Sequence, residues 1–308
     1  VDAETAELLR GSIRVLFDSG DGDIVTGLEE LGWGDVVADD PAAALDLLFT
    51  EQGMVGRASA ILNTVAFAEH NGTRIPVLHP FNSRTSACLI DEGIEIDGVL
   101  LADVSGPTVV ATHDTAFVVD LSVHESAVTP VAGFDPDANL QRVRLRVRRD
   151  AAPTVDVDYV SIAAAAERAL SSELVGNGSA MLRLAADQIT TRVQFGRPIG
   201  ANQSPRHRLA ESYALVRGAA ELSALAWRTG SSLDARTAKA YAGYAVDTAS
   251  RACLQVCGAI GLTTEHALSG YVKRSRILDA MYGGWADSMK DIGRQLLVSR
   301  SLPPAARL

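Results

Sequence analysis

The chain has 308 residues, 47% apolar and 21% charged, with 26 glycines and 11 prolines. This is the composition of a globular protein of about two domains with an ordinary core, and it excludes disordered, collagenous and disulfide-stapled chains. The net charge of −10 falls wholly on residues 1–50, which hold 12 acidic and 2 basic side chains, and without a basic tract neither nucleic acid nor an anionic membrane is an expected partner.

Residues 3–17 place Leu8, Leu9, Ile13, Leu16 and Phe17 at helical spacing. Gly20 to Asp23 reads as a loop, and 24–37 as a short helix ending near Leu31-Gly32-Trp33. Pro41 opens a helix over 42–53, and 54–70 reads as its helical continuation. An N-terminal helical domain is therefore expected over 1–75. A small β domain is expected over 76–155. Its β-rich runs lie at 99–101, 108–111, 116–119 and 143–147, punctuated by Asp97-Gly98, Ser105-Gly106-Pro107 and Asp135-Pro136 as turns. Arg144, Arg146 and Arg148 alternate with Val143, Leu145 and Val147, the period of a strand with one solvated face.

From 156 to 308 the pattern is helical. One helix is predicted over 161–191, tolerating Gly176 and Gly178. A second opens with Ser204 as cap and Pro205 at its first position, and turns Leu209, Tyr213, Val216, Ala220 and Trp227 toward a core. A third spans 234–257 and a last one 277–300, lengths that suit a four-helix bundle.

The three cysteines, Cys88, Cys253 and Cys257, cannot staple a fold, and their odd count fits a reducing cytoplasm. Cys253 and Cys257 lack further ligands nearby and read as buried thiols, so no metal is expected. No run of about 18 apolar residues predicts a membrane span. The N-terminus shows no basic-then-apolar leader, and a cytoplasmic location is expected.

No Ser-His-Asp setting, P-loop or dinucleotide fingerprint is present. Two segments joining long helices stand out. In the first, Arg192 to His207, a helix end and a new N-terminus can present Arg and free amides to a phosphate. In the second, Gln255 to His266, Gly258 and Gly261 let the backbone approach a ligand. Each segment taken alone also reads as an ordinary helix connection.

Together they resemble the acyl-CoA dehydrogenase family. Its pattern R-x-x-F-G-x-x-I-x-x-x-Q is met by Arg192, Phe195, Gly196, Ile199 and Gln203. Its pattern Q-x-x-G-G-x-G-(F/L)-T-x-E is met by Gln255, Gly258, Gly261, Leu262, Thr263 and Glu265, with Ala259 replacing the second Gly. Residues 271–282 (YVKRSRILDAMY) look like the helix that follows. The resemblance implies an α+β fold: N-terminal helices, a middle β-barrel, and a C-terminal four-helix bundle at the oligomer core. It implies FAD as cofactor, an acyl-CoA substrate and an electron-transfer flavoprotein as oxidant. Arg192, Phe195, Gln203, Gln255 and Gly258 would hold the adenine and pyrophosphate side of an FAD bound mainly to a neighbouring subunit.

Three departures shape the expectation. Gly283 stands where many members carry the catalytic Glu, and glycine takes no proton. Glu167 lies about one residue from an alternative base position, roughly 100° of helix, which reads as a surface Glu pointing elsewhere. Residues 81–92 (FNSRTSACLIDE) lack the T-E-x-x-x-G-S-D run that cradles the isoalloxazine. The chain therefore resembles the short subunit of heteromeric (α2β2) actinobacterial acyl-CoA dehydrogenases of sterol catabolism. A homologous full-length partner would supply the base. The alternatives are a structural or regulatory homologue, and a self-sufficient homo-oligomer using Glu167.

Overall fold

The computed structural model describes residues 3–19, 24–91, 93–102, 105–132 and 139–300; the loop at Gly20 to Asp23 and the turn at Asp135-Pro136 lie outside them. The chain opens with α1 (Ala3–Ser19), α2 (Ile24–Glu30), α3 (Trp33–Asp39) and α4 (Pro41–Val55). The single helix read over 24–37 is two, because Gly32 takes a left-handed φ of 70°. Pro41 stands in the first turn of α4, and the Asp40 carboxylate caps it by accepting from the Ala43 amide at 3.0 Å.

The helical reading of 54–70 is corrected. α4 ends at Gly56, and after a 3-10 turn the chain enters a hairpin of β1 (Phe67–His70) and β2 (Thr73–Pro76). Asn71 and Gly72 form its turn with φ of 52° and 73°. Asn-Gly is the residue pair that such a two-residue turn favours.

Eight further strands follow: β3 (His79–Pro80), β4 (Ala87–Ile90), β5 (Gly93–Leu100), β6 (Pro107–Ala111), β7 (Ala116–Asp120), β8 (Val128–Pro130), β9 (Gln141–Arg148) and β10 (Thr154–Val155). One sheet has the order β3-β5-β9-β8 with β4 also on β5, and the other has β10-β7-β6. Both enclose one core of Leu78, Ile94, Ile96, Phe117, Val143 and Val147. Asp97-Gly98 is not a turn but part of β5. A Cβ on Gly98 would meet the His79 carbonyl at 2.7 Å, so glycine lets β3 lie close. Arg144 and Arg146 do face solvent, paired across the sheet with Asp97 and Glu95.

The rest is α5 (Tyr159–Thr191), a small hairpin of β11 (Val193–Gln194) and β12 (Arg197–Pro198), α6 (Gln203–Thr229), α7 (Ser232–Cys257), α8 (Leu268–Ala280) and α9 (Trp285–Ser299). Helices α5, α6 and α7 pack on one another, α8 packs on α5 and α7, and α9 packs on α7. The N-cap position of α6 is Asn202 rather than Ser204, and the Asn202 side chain makes no capping bond because its Nδ2 donates back to the Ile199 carbonyl at 3.1 Å. The helix read over 277–300 is interrupted, because Tyr282 and Gly283 take φ of 56° and 90°. Tyr213, placed toward a core from its spacing, is 59% exposed.

Candidate active site and cofactor half-site

The two motif segments meet at one end of the bundle. Arg192 ends α5, and its Nη1 donates to the carbonyl of Cys257, the last residue of α7, at 3.3 Å. Gly258 follows with φ of 70°, and a Cβ there would lie 3.8 Å from the same nitrogen. Gln255 is exposed in the last turn of α7, and Gln203 is exposed at the start of α6. The Arg192 carbonyl accepts from the Ile199 amide at 2.9 Å, which folds the intervening hairpin back on the end of α5. At its tip Phe195 and Gly196 take φ of 53° and 77°, and the Phe195 ring is 99% exposed. A phenyl ring held wholly in water at the tip of a turn has both faces free for stacking.

These residues suit one end of FAD. Arg192 has no carboxylate within ion-pair reach among the described residues, so its charge is available to a pyrophosphate. The small Gly258 leaves the approach open, and Phe195 offers a face for an adenine. Cys253 and Cys257 are buried thiols behind this end, the former pushed up to about 12 by burial.

The second site surrounds the α8–α9 connection. Tyr282 is buried and its hydroxyl lies 3.0 Å from His79 Nδ1, while His79 Nε2 lies 2.7 Å from Asn63 Oδ1. That oxygen accepts, so Nε2 carries the proton and Nδ1 accepts from the tyrosine. Burial lowers the His79 pKa to about 4, which keeps the ring neutral. The bond holds Tyr282 in its left-handed turn and so presents Gly283. A Cβ on Gly283 would lie 3.2 Å from Arg84 Cγ, so any side chain there would press on Arg84.

Glu167 is the main correction. It is 3% exposed and lines a cavity of about 250 Å³ with Arg84, Tyr159 and Arg236. The one-residue offset fails to turn it to solvent because α5 is covered by α4, α6, α7 and α8 at once. Burial raises its carboxyl to about 7, against the pull of Arg84, Lys239, Arg236 and Arg168. Lys239 is fully buried; its Nζ donates to the Asp279 carbonyl at 2.6 Å and to that of Gly283, and burial brings its pKa down to about 8. Sequence reasoning missed Arg84, Arg236 and Lys239. The visible signal was a pair of cations, Arg236 and Lys239, in the alanine-rich run that opens α7.

N-terminal helices, a middle β domain and a C-terminal helical bundle give the acyl-CoA dehydrogenase class of fold. Residues 158–297 match the family model described as Acyl-CoA dehydrogenase, C-terminal domain. A relative, acyl-CoA dehydrogenase IpdE2 of Mycobacterium tuberculosis, is 34% identical over 146 residues, which are 47% of this chain and 44% of that protein. The match thus spans less than half of that relative's length. Among solved structures, the ChsE4-ChsE5 complex from Mycobacterium tuberculosis superposes with a TM-score of 0.69 at 18% identity, covering 98% of this chain and 99% of the other. The Tcur3481-Tcur3483 steroid ACAD gives 0.70 at 19%, covering 96% and 99%. The chain resembles acyl-CoA dehydrogenases in sequence over residues 158–297 and in fold over nearly its whole length. Among the described residues no helix is long and apolar enough to cross a membrane.

Proposed function

We propose that this chain is one subunit of a hetero-oligomeric, FAD-dependent acyl-CoA dehydrogenase, and that it contributes the adenine and pyrophosphate half-site. The carrying observation is Arg192, free of any acidic partner among the described residues and set beside Gly258 and the fully exposed Phe195. Arg192 would bind the pyrophosphate, Phe195 would cover the adenine, and Gln203, Gln255 and Gly258 would complete the contact. FAD, when bound, would supply the acceptor for a hydride from the β-carbon of the thioester, with an electron-transfer flavoprotein as its oxidant. Gly283 holds no proton, so a homologous full-length partner in an α2β2 assembly supplies the carboxylate for the α-carbon. Likeness to a steroid ACAD supports a steroid-derived CoA ester as substrate.

Co-expression with a full-length homologue should give a yellow complex with the two subunits in equal number. An Arg–phosphate contact contributes roughly 1.5–3 kcal/mol, so Arg192→Ala should weaken FAD binding about ten- to a hundredfold. Unchanged flavin content after gel filtration at low FAD would overturn the half-site. A flavin-free complex would favour a structural or regulatory role.

A second reading is favoured by one observation, the burial and raised pKa of Glu167 in a cavity beside Gly283. A carboxylate poised near neutrality suits a general base. If the partner owns the base, Glu167→Gln leaves kcat of the complex within about threefold, under ~1 kcal/mol of barrier. Loss of about 10³-fold with FAD still bound would transfer the base to Glu167.

A further inference from the structure

Arg84, ahead of β4, and Arg236, near the start of α7, reach the Glu167 cavity from two different elements. Among the described residues neither guanidinium has a carboxylate within ion-pair reach. Arg236 donates through one terminal nitrogen to Gln295 Oε1, while its Nε is buried with no hydrogen-bond partner. The two cations also act on each other, and burial and then Arg84 hold the Arg236 pKa below its ordinary value. The one acid lining the cavity, Glu167, is itself pushed toward neutrality by burial. Two like charges lining one partly open cavity, one with an orphaned donor, leave a positive excess that an anion between them would relieve.

We propose that this cavity is a binding site for a small monocarboxylate with a short apolar body, held between Arg84 and Arg236. Planar guanidinium forks match a carboxylate in two-bond geometry, which favours it over a spherical or tetrahedral anion. The hydroxyls of Thr85 and Ser232 add polar lining, and Val160, Ala163 and Leu233 supply an apolar wall. The volume of about 250 Å³ lies just under the ~300 Å³ lower end for drug-sized ligands, so the site takes an organic acid of a few carbons and not a nucleotide.

Glu167 sets the pH dependence. Facing it are Arg84 from the segment before β4, Tyr159 and Arg168 on α5, Arg236 and Lys239 on α7, and Tyr282 from the α8–α9 connection, with His113 also on the cavity wall. A protonated Glu167 donates to the bound carboxylate, whereas an ionised one repels it. Affinity therefore rises as pH falls through about 7.

The test is calorimetric titration of butyrate into the flavin-free full chain, alone or co-purified with its partner, so a failed subunit reading leaves it intact. One saturable site is expected, tighter at pH 6 than at pH 8, with butyramide silent and sulfate weaker. Arg84→Gln and Arg236→Gln should each weaken butyrate at least about tenfold, the loss of one charge-assisted contact. Glu167→Gln should flatten the pH dependence. Absence of saturable binding, sulfate as tight as butyrate, or both arginine variants binding like wild type would each overturn the proposal. A thermal melt of each variant checks folding. If Arg236→Gln fails to fold, Arg84→Gln and the wild-type pH dependence decide.

Discussion

Glu167 and His79 are buried ionisable groups with opposite linkage. The Glu167 carboxyl is raised by burial to about 7, so the folded state holds its proton more tightly than the unfolded chain does. Its contribution to stability is fully present below about 4.5 and is lost as pH rises through about 7. His79, lowered to about 4, contributes stability present above 6.5 and lost as pH falls through about 4. The two slopes oppose each other in mildly acid solution, so the carboxyl is read from wild type minus Glu167→Gln. That difference in unfolding free energy should fall by about 1–3 kcal/mol between about pH 5 and 8, measured by urea melts. A difference independent of pH would mean that Glu167 titrates as a solvated side chain.

Helix α5 carries the element-scale lesson. Gly176 is read from sequence as merely tolerated, yet it is required. A Cβ at Gly176 would sit 2.0 Å from the Thr50 carbonyl, and one at Gly53 would sit 2.1 Å from the Glu173 carbonyl. These two glycines let the backbones of α4 and α5 touch. One turn away the buried pair of Arg274 and Glu173, with nitrogen–oxygen contacts of 2.9 and 2.6 Å, ties α8 to the same face. Gly176→Ala gains helix propensity of roughly 1 kcal/mol but must push backbone against backbone. Overpacking of that kind costs about 1–3 kcal/mol or more, so the net change should be a lowered urea midpoint. A raised midpoint would show that α4 slides aside freely.

At the scale of the whole molecule, apolar side chains are left uncovered around the end of the bundle that carries Arg192 and Gly258. Phe195 is 99% exposed, Leu262 73% and Val193 56%, and Tyr213 adds a half-covered ring on α6. Surface of this kind suits the subunit interface proposed above, and obligate interfaces typically bury more than about 2,000 Å² in total. Expressed alone, the chain should aggregate or form a weak flavin-free homo-oligomer by light scattering. A stable, yellow, active monomer would contradict both the interface and the division of labour between subunits.

Sequence alone determined the helices α1, α5, α6 and α7, the strands at 108–111 and 143–147, and the helix-joining segments that carry Arg192 and Gly258. It could do so because periodicity, caps and short motifs are local. The Asn71-Gly72 turn pair was equally local, yet the helical reading of 54–70 and of the N-terminal unit to 75 passed over it. Only the tertiary structure decided where Glu167 points, since its direction depends on how many elements cover α5 rather than on its phase along the helix. The same holds for Arg84, Arg236 and Lys239. They come from a loop and a helix far apart in the chain, and nothing in their own neighbourhoods records that folding brings them to one cavity. The burial that shifts Glu167 and Lys239 arises only when α5, α7 and the α8–α9 connection close together and exclude water.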